Sequence, residues 1–134
     1  MLRPPFASSL TALAPLIALI ICGGCSSATE TEPCLAINSS LALVVKVTDA
    51  RSDAYIASGA TLKWRQGTRQ GTGTLYVTSQ TPDASPFLVG GAPGTYDILV
   101  EKQGYAPYSQ SVVVPGNRCG PLAVELTAKL VPLQ

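Results

Sequence analysis

Along residues 41–131, apolar and polar side chains alternate with a period of two, the signature of strands that turn one face to a core and one to water. Leu41, Leu43, Val45 and Val47 share a face and predict a first strand over Leu41–Thr48. Ala60, Leu62 and Trp64 point inward from a second strand over Ala60–Gln66, with Thr61, Lys63 and Arg65 outward. Thr74–Thr78 and Phe87–Gly90 read as two shorter strands. Thr95–Lys102 alternates most cleanly, placing Tyr96, Ile98 and Val100 inside and Thr95, Asp97, Leu99 and Glu101 outside. Tyr108–Val114 and Leu122–Val131 complete the series. Turn residues break the pattern about every 8–15 residues, and no helical period stands out beyond the first two dozen positions. About seven short strands in roughly 100 residues predict an all-β chain, a seven-stranded antiparallel β-sandwich.

The single repeat is local. Arg65-Gln66-Gly67-Thr68 is followed at once by Arg69-Gln70-Gly71-Thr72, which reads as a hairpin tip that tolerated an insertion.

The N-terminal segment has a different character. Met1-Leu2-Arg3 carries one positive charge, Leu10 to Cys22 is apolar apart from Thr11 and Pro15, and Gly23-Gly24 precede Cys25. An apolar run of about a dozen residues suits an export signal and falls short of the ~20 needed to span a bilayer. The Gly23-Gly24-Cys25 junction resembles the lipobox of bacterial lipoproteins, although Cys22 stands where that family prefers Leu. The resemblance implies cleavage after Gly24, acyl chains such as palmitate on Cys25, and, with Ser26 rather than Asp beside it, sorting to an outer membrane. Cysteine parity agrees: cleavage without acylation leaves Cys25, Cys34 and Cys119, an odd set for an oxidising compartment. The expected organisation is a lipoprotein signal peptide over 1–24, a flexible polar tether over 25–33 and one domain over 34–134.

Charge narrows the function classes. Nine Lys and Arg face eight Asp and Glu, and without Arg3 the balance is even, so a nucleic-acid partner is not expected. The chain has no histidine, which removes His-based catalysis and His metal sites together.

Three segments of the domain resemble the carboxypeptidase regulatory-like domain, a β-sandwich of the transthyretin-like and immunoglobulin-like kind. They are Val44-Val45-Lys46-Val47-Thr48-Asp49 with its loop to Gly59-Ala60, Pro93-Gly94-Thr95-Tyr96 running into Asp97-Ile98-Leu99-Val100 and then Gly104-Tyr105, and Val112-Val113-Val114 followed by Cys119 and Leu130-Val131-Pro132-Leu133. Pro93 and Gly94 suit the two central positions of a type II turn. The resemblance implies a scaffold that is usually non-catalytic and lends architecture rather than activity.

Cys34 precedes the first strand and Cys119 the last, so the two are expected to form a disulfide if those strands are neighbours; a pair of buried thiols is the alternative. Asp97 and Glu101 share a strand face about 13 Å apart, too far for a glycosidase pair. Asp49 and Asp53 bracket a loop where a calcium ion is conceivable, although turn acids more often bond their own backbone. An isopeptide bond from Lys46 is disfavoured because Lys46 points away from Val45 and Val47. Lys63, Arg65 and the out-of-phase Tyr76, with Arg69 nearby, are the candidate ligand contacts, an exposed ring beside cations that would suit an anionic glycan. The expected function is a non-enzymatic, lipid-anchored protein of the bacterial envelope, with a structural, accessory or protein-binding sandwich and no cofactor or metal. A carbohydrate- or peptidoglycan-binding module is the alternative. The expected partners are the membrane, through the lipid, and an envelope protein or polysaccharide.

Overall fold

The computed structural model describes Cys34 and residues 40–77 and 80–134, within the compact unit Pro33–Gln134. Among the described residues, ten strands build two four-stranded sheets and one two-stranded sheet: β1 (Leu41–Asp49), β2 (Ala60–Gln66), β3 (Arg69–Thr72), β4 (Thr74–Leu75), β5 (Phe87–Gly90), β6 (Gly94–Lys102), β7 (Tyr108–Val114), β8 (Gly116–Asn117), β9 (Gly120–Pro121) and β10 (Val124–Leu130). The first sheet has the order β10-β1-β5-β4 and the second β3-β2-β6-β7, with β8 and β9 as a small separate ladder. The chain is a β-sandwich, as the alternation predicts.

The two inner faces supply the core. Leu43, Val45 and Val47 of β1, Phe87 and Val89 of β5, and Ala128 and Leu130 of β10 are buried with Leu62 of β2, Tyr96, Ile98 and Val100 of β6, and Val112 and Val114 of β7. Burying one Val, Leu or Ile of this kind stabilises by about 1.5–3 kcal/mol, so truncating a central one such as Val45 acts on the whole sandwich. Trp64 packs half-buried against this core, with its ring centroid 5.7 Å from that of Tyr96 at an interplanar angle of 58°. Its cross-strand partner is Gly71. A Cβ there would lie 2.9 Å from the indole Cζ2, so the glycine leaves the space the indole fills.

The repeated tetrapeptide forms a hairpin whose arms are both strands. Gln66 pairs with Arg69 across Gly67 and Thr68, and Gly67 has φ 58°, which suits the first central position of a two-residue turn. β3 is therefore an added strand that the alternation did not predict, because its Gly and polar residues carry no apolar period. Gly73 then donates its N–H to the Leu62 carbonyl and the chain passes into β4 of the other sheet.

Three further differences have local causes. The strand predicted over Thr74–Thr78 ends at Leu75, where the Tyr76 N–H turns to the Pro86 carbonyl; Thr78 lies outside the described residues. The last strand starts at Val124, because the Leu122 N–H closes back on Pro115, and stops at Leu130, because the Val131 carbonyl takes the Ala106 N–H. One pairing also runs parallel. β10 lies parallel to β1 in a register that sets Leu43 opposite Val124 and Asp49 opposite Leu130, while the other ladders of both sheets are antiparallel. Alternation fixes which face a side chain takes and says nothing about strand direction.

First and last strands are thus neighbours, and the bridge forms. Cys34 and Cys119 are disulfide-bonded with their Cα atoms 5.4 Å apart, across a sequence separation of 85. Cys25 and the rest of residues 1–33 lie outside the described residues.

Candidate functional site

The candidate contacts Lys63 and Arg65 lie on the outer face of the second sheet. Cross-strand register builds this face in rows. One row runs Gln70, Arg65, Asp97, Ser111 and the next runs Thr72, Lys63, Leu99, Ser109. The strand period that buries Leu62 and Trp64 turns Lys63 and Arg65 outward, and the same period on β6 presents Asp97, Leu99 and Glu101 beside them.

Opposite charges meet within and between these rows. Arg65 Nη2 lies 3.4 Å from Asp97 Oδ2, and Lys63 Nζ lies 2.7 Å from Glu101 Oε2. Ser111 donates its hydroxyl to the other oxygen of Asp97. That bond first, and the Arg65 guanidinium second, hold the Asp97 carboxyl below its usual range. The two carboxylates that share one strand are therefore each engaged by a different cation, and neither is directed at a common reacting point. A shallow depression of about 370 Å³ lies over the rows, lined among others by Lys63, Arg65, Gln70, Asp97, Leu99 and Ser109. Leu99, half-buried and turned outward as its phase predicts, and the serines of β7 were not among the candidate contacts of the sequence reading. Phase on β6 already turns Leu99 outward, and the register of β6 on β7, which pairs Leu99 with Ser109 and Asp97 with Ser111, adds the two serines to this face.

Tyr76 does not join them. It is 54% exposed, as its phase predicts, but it follows β4 of the other sheet, and its ring is not among the groups lining the depression. Arg69 also faces away. It sits cross-strand from Gln66, in phase with Gly71 and the inner side of the sheet, while Arg65 is in the opposite phase. The expected grouping of Lys63, Arg65, Arg69 and Tyr76 is thus divided between surfaces. Strand phase separates Arg69, and the crossing at Gly73, which carries the chain from one sheet to the other within two residues of Leu75, separates Tyr76.

The opposite end of the sandwich organises the loop acids. Asp49 Oδ1 accepts the N–H groups of Arg51 at 2.7 Å and Ser52 at 3.1 Å, and its Oδ2 accepts the Tyr105 hydroxyl at 3.0 Å. Those two N–H groups first, with the Tyr105 and Ser52 hydroxyls adding to them, lower the Asp49 carboxyl from its usual range; the same bond raises the Tyr105 phenol. Asp53 takes a positive φ of 56° and pairs with Lys129 at 2.7 Å. Both acids thus bond their own loop and its neighbours. Tyr105 closes over this end of the sandwich and bridges to Pro132. Lys46 lies on the outer face of the first sheet, 3.5 Å from Glu125 of β10. Among the described residues, no group of three or more His, Cys, Asp or Glu side chains is placed to hold a metal ion.

One corner of the sandwich carries a device that the sequence reading did not name. Tyr96, fully buried at the start of β6, donates its hydroxyl to the Ala92 carbonyl four residues upstream at 2.7 Å. A tyrosine that bonds back across the connection between two sheets is a recurrent corner of immunoglobulin-like sandwiches. The Pro93-Gly94-Thr95-Tyr96 segment was the signal for it.

No family model matches the chain, and no curated protein matches it. Among solved structures, similarity is found to one described by conserved hydrophobic clusters on the surface of the Caf1A usher C-terminal domain that are important for F1 antigen assembly. It is 16% identical, with a TM-score of 0.40, over 67% of this chain and 96% of that chain. A likeness this loose carries nothing about function.

Proposed function

We propose that this protein is a non-enzymatic, lipid-anchored component of a bacterial envelope, whose β-sandwich serves as a structural, accessory or protein-binding domain. The observation that carries this reading is the Cys34–Cys119 disulfide. Disulfides persist in oxidising compartments, which agrees with export. The bridge also uses both cysteines of the domain, so in a chain cleaved after Gly24, which removes Cys22, it leaves Cys25 as the odd one. An acyl group on Cys25 accounts for it. The several acyl chains that the lipobox resemblance implies would meet the two-signal requirement of stable membrane anchoring. Among the described residues, no helix is long and apolar enough to cross a membrane.

The face that bears Lys63 and Arg65 supports a scaffold over a glycan reader. Each cation is already matched by a carboxylate, and the exposed Tyr76 follows a strand of the other sheet, so ring and charge do not converge on one ligand. The test is metabolic labelling with a palmitate analogue together with intact mass. Wild type should take the label and fractionate with membranes, and Cys25→Ser should lose the label and be released or stall in processing. An unmodified mature chain in the soluble fraction overturns the reading.

A further inference from the structure

Tyr76, set apart from Lys63 and Arg65, has neighbours of its own on the outer face of the first sheet. Register lays this face out in rows as well. One row runs Glu125, Val44, Leu88, Thr74. In the next, Lys46 pairs with Thr127, and one step beyond the Val45–Phe87 and Leu75–Phe87 pairs Pro86 stands between Lys46 and Tyr76. The Tyr76 N–H donates to the Pro86 carbonyl, which fixes that step. In the third row Thr48 pairs with Lys129 on one side and bridges to Tyr55 on the other, so Tyr55 stands where β5 would continue.

Two tyrosines therefore share one face, Tyr55 at 48% and Tyr76 at 54% exposure. One strand spacing and two residues separate them, about 8 Å between Cα atoms for strands about 4.8 Å apart that rise about 3.3 Å per residue. Half-buried Val44, Leu88 and Pro86 continue the apolar surface beside the rings.

Size, charge and shape decide what this surface fits. The apolar patch spans two strand spacings and four residues, roughly 10 by 13 Å. That is several times smaller than the ~800 Å² that each side of a stable protein interface buries, so neither a second copy nor another protein would be held by it. Lys46 lies 3.5 Å from Glu125 and Lys129 lies 2.7 Å from Asp53, so the cations and anions of this face match one another and select against a charged ligand. The outer face of a sheet is flat rather than concave. A narrow, uncharged ligand with a flat apolar side and hydroxyls along its edges meets all three conditions, and a sugar chain has that form. Its ring C–H groups, slightly positive, lie over the negative face of an aromatic ring. Its hydroxyls can bond the exposed Thr74 and Thr127 beside the rings. A β-1,4 linkage keeps successive rings in an extended ribbon that follows a flat face, whereas an α-1,4 chain curls away from it.

We propose that the outer face of the first sheet is a glycan-stacking platform, on which Tyr55 and Tyr76 hold a short stretch of an uncharged, β-1,4-linked sugar chain. It lies on a different sheet from Lys63 and Arg65 and needs neither. It goes beyond the envelope reading above and is independent of any lipid on Cys25.

The test titrates the full chain with chitotetraose and cellotetraose, both neutral and β-1,4-linked, and with α-1,4-linked maltotetraose. Calorimetry should show saturable binding of at least one β-linked sugar and weaker binding of maltotetraose. Tyr55→Ala and Tyr76→Ala should each weaken that binding roughly tenfold. Tyr55→Phe and Tyr76→Phe keep the ring and should retain it, and Val113→Ala, exposed on β7 of the other sheet, should bind as wild type. Amide shifts of the wild type give a second reading that needs no variant: Val44, Thr74 and Leu88 should move on adding sugar, while Leu99 and Ser109 stay. No binding of either β-linked sugar, equal binding of maltotetraose, unchanged affinity in both alanine variants, loss of binding in Lys63→Ala, or shifts confined to Leu99 and Ser109 would each overturn the proposal.

Discussion

Cys34 and Cys119 stand 85 residues apart in sequence and 5.4 Å apart between Cα atoms. The bridge ties the entry to β1 to the turn before β10, the two strands that pair in parallel. Cross-linking so long a loop removes freedom from the unfolded chain, worth about 2–4 kcal/mol in practice. Cys34→Ser or Cys119→Ser should therefore lower the melting temperature by roughly 8–25 °C for a domain near 100 residues. Calorimetry with and without reductant measures it, and a variant that melts with wild type would show that the bridge contributes nothing.

Tyr96→Phe should leave the core volume unchanged and remove one hydrogen bond. The Ala92 carbonyl then keeps only the Gln66 amide as donor, at a cost of about 0.5–1.5 kcal/mol for the lost bond. Urea titration should show a lower midpoint with an unchanged slope. A changed slope would mean that the corner reorganises, contrary to this account.

Gly71→Ala adds a methyl group 2.9 Å from the Trp64 ring. Overpacking of this sort costs about 1–3 kcal/mol. Trp64 is the single tryptophan of the chain, so its fluorescence reports on the site alone. The expected result is a red shift as the indole is pushed toward water. An unshifted spectrum with full stability would place the indole elsewhere.

Asp49 and Tyr105 predict a pH profile with two limbs. The Asp49 carboxyl titrates below its ordinary 3.8, so the stability it contributes is present above that value and is lost as pH falls through the folded pKa. The Tyr105 phenol titrates above its ordinary 10.0, so its contribution is present below 10 and is lost as pH rises through its folded pKa. Tyr105→Phe should remove the alkaline limb due to this pair and soften the acid one, while Asp49→Asn should flatten both. Denaturation midpoints taken from pH 2 to 11 would decide it, and profiles identical to wild type would refute the linkage.

The ion pairs of the second sheet predict little effect on stability. Arg65–Asp97 and Lys63–Glu101 are exposed, and pairs of this kind contribute about 0–1 kcal/mol. Lys63→Ala should change the melting temperature by only a few degrees at low salt, and less at high salt. A large loss would show that the face is covered by something in solution.

What could be read from residues alone follows from what alternation encodes. The phase of Leu62 and Trp64, and of Tyr96, Ile98 and Val100, gave the inner faces, and the boundaries of β2, β5 and β7 fell where turn residues said they would. The parallel pairing of β1 with β10 was not legible, because a strand's face pattern is the same in either direction. β3 was hidden by Gly and Gln, which carry no apolar period. The candidate site suffered from the same gap. Lys63 and Arg65, like Asp97 and Leu99, were placed on the correct face by phase, but which of them stand side by side, and that Ser109 and Ser111 join them, is set by register, and Tyr76 was separated from them by a sheet crossing at Gly73. The disulfide was legible because placement and parity both constrained it.

The parallel pairing of β1 with β10 also orders events in time. β1 emerges first from any synthesis or export channel, yet its ladder partner β10 comes last, after more than half of the chain has followed. Until then β1 can be held on one side only, by β5. Contacts between such distant segments form slowly, and an unpaired apolar strand is exposed to aggregation meanwhile. A chain stalled before Val124 should therefore be a substrate for quality control rather than a partly folded domain. Release of β10 is the step at which the sheet closes and the bridge between Cys34 and Cys119 can lock it.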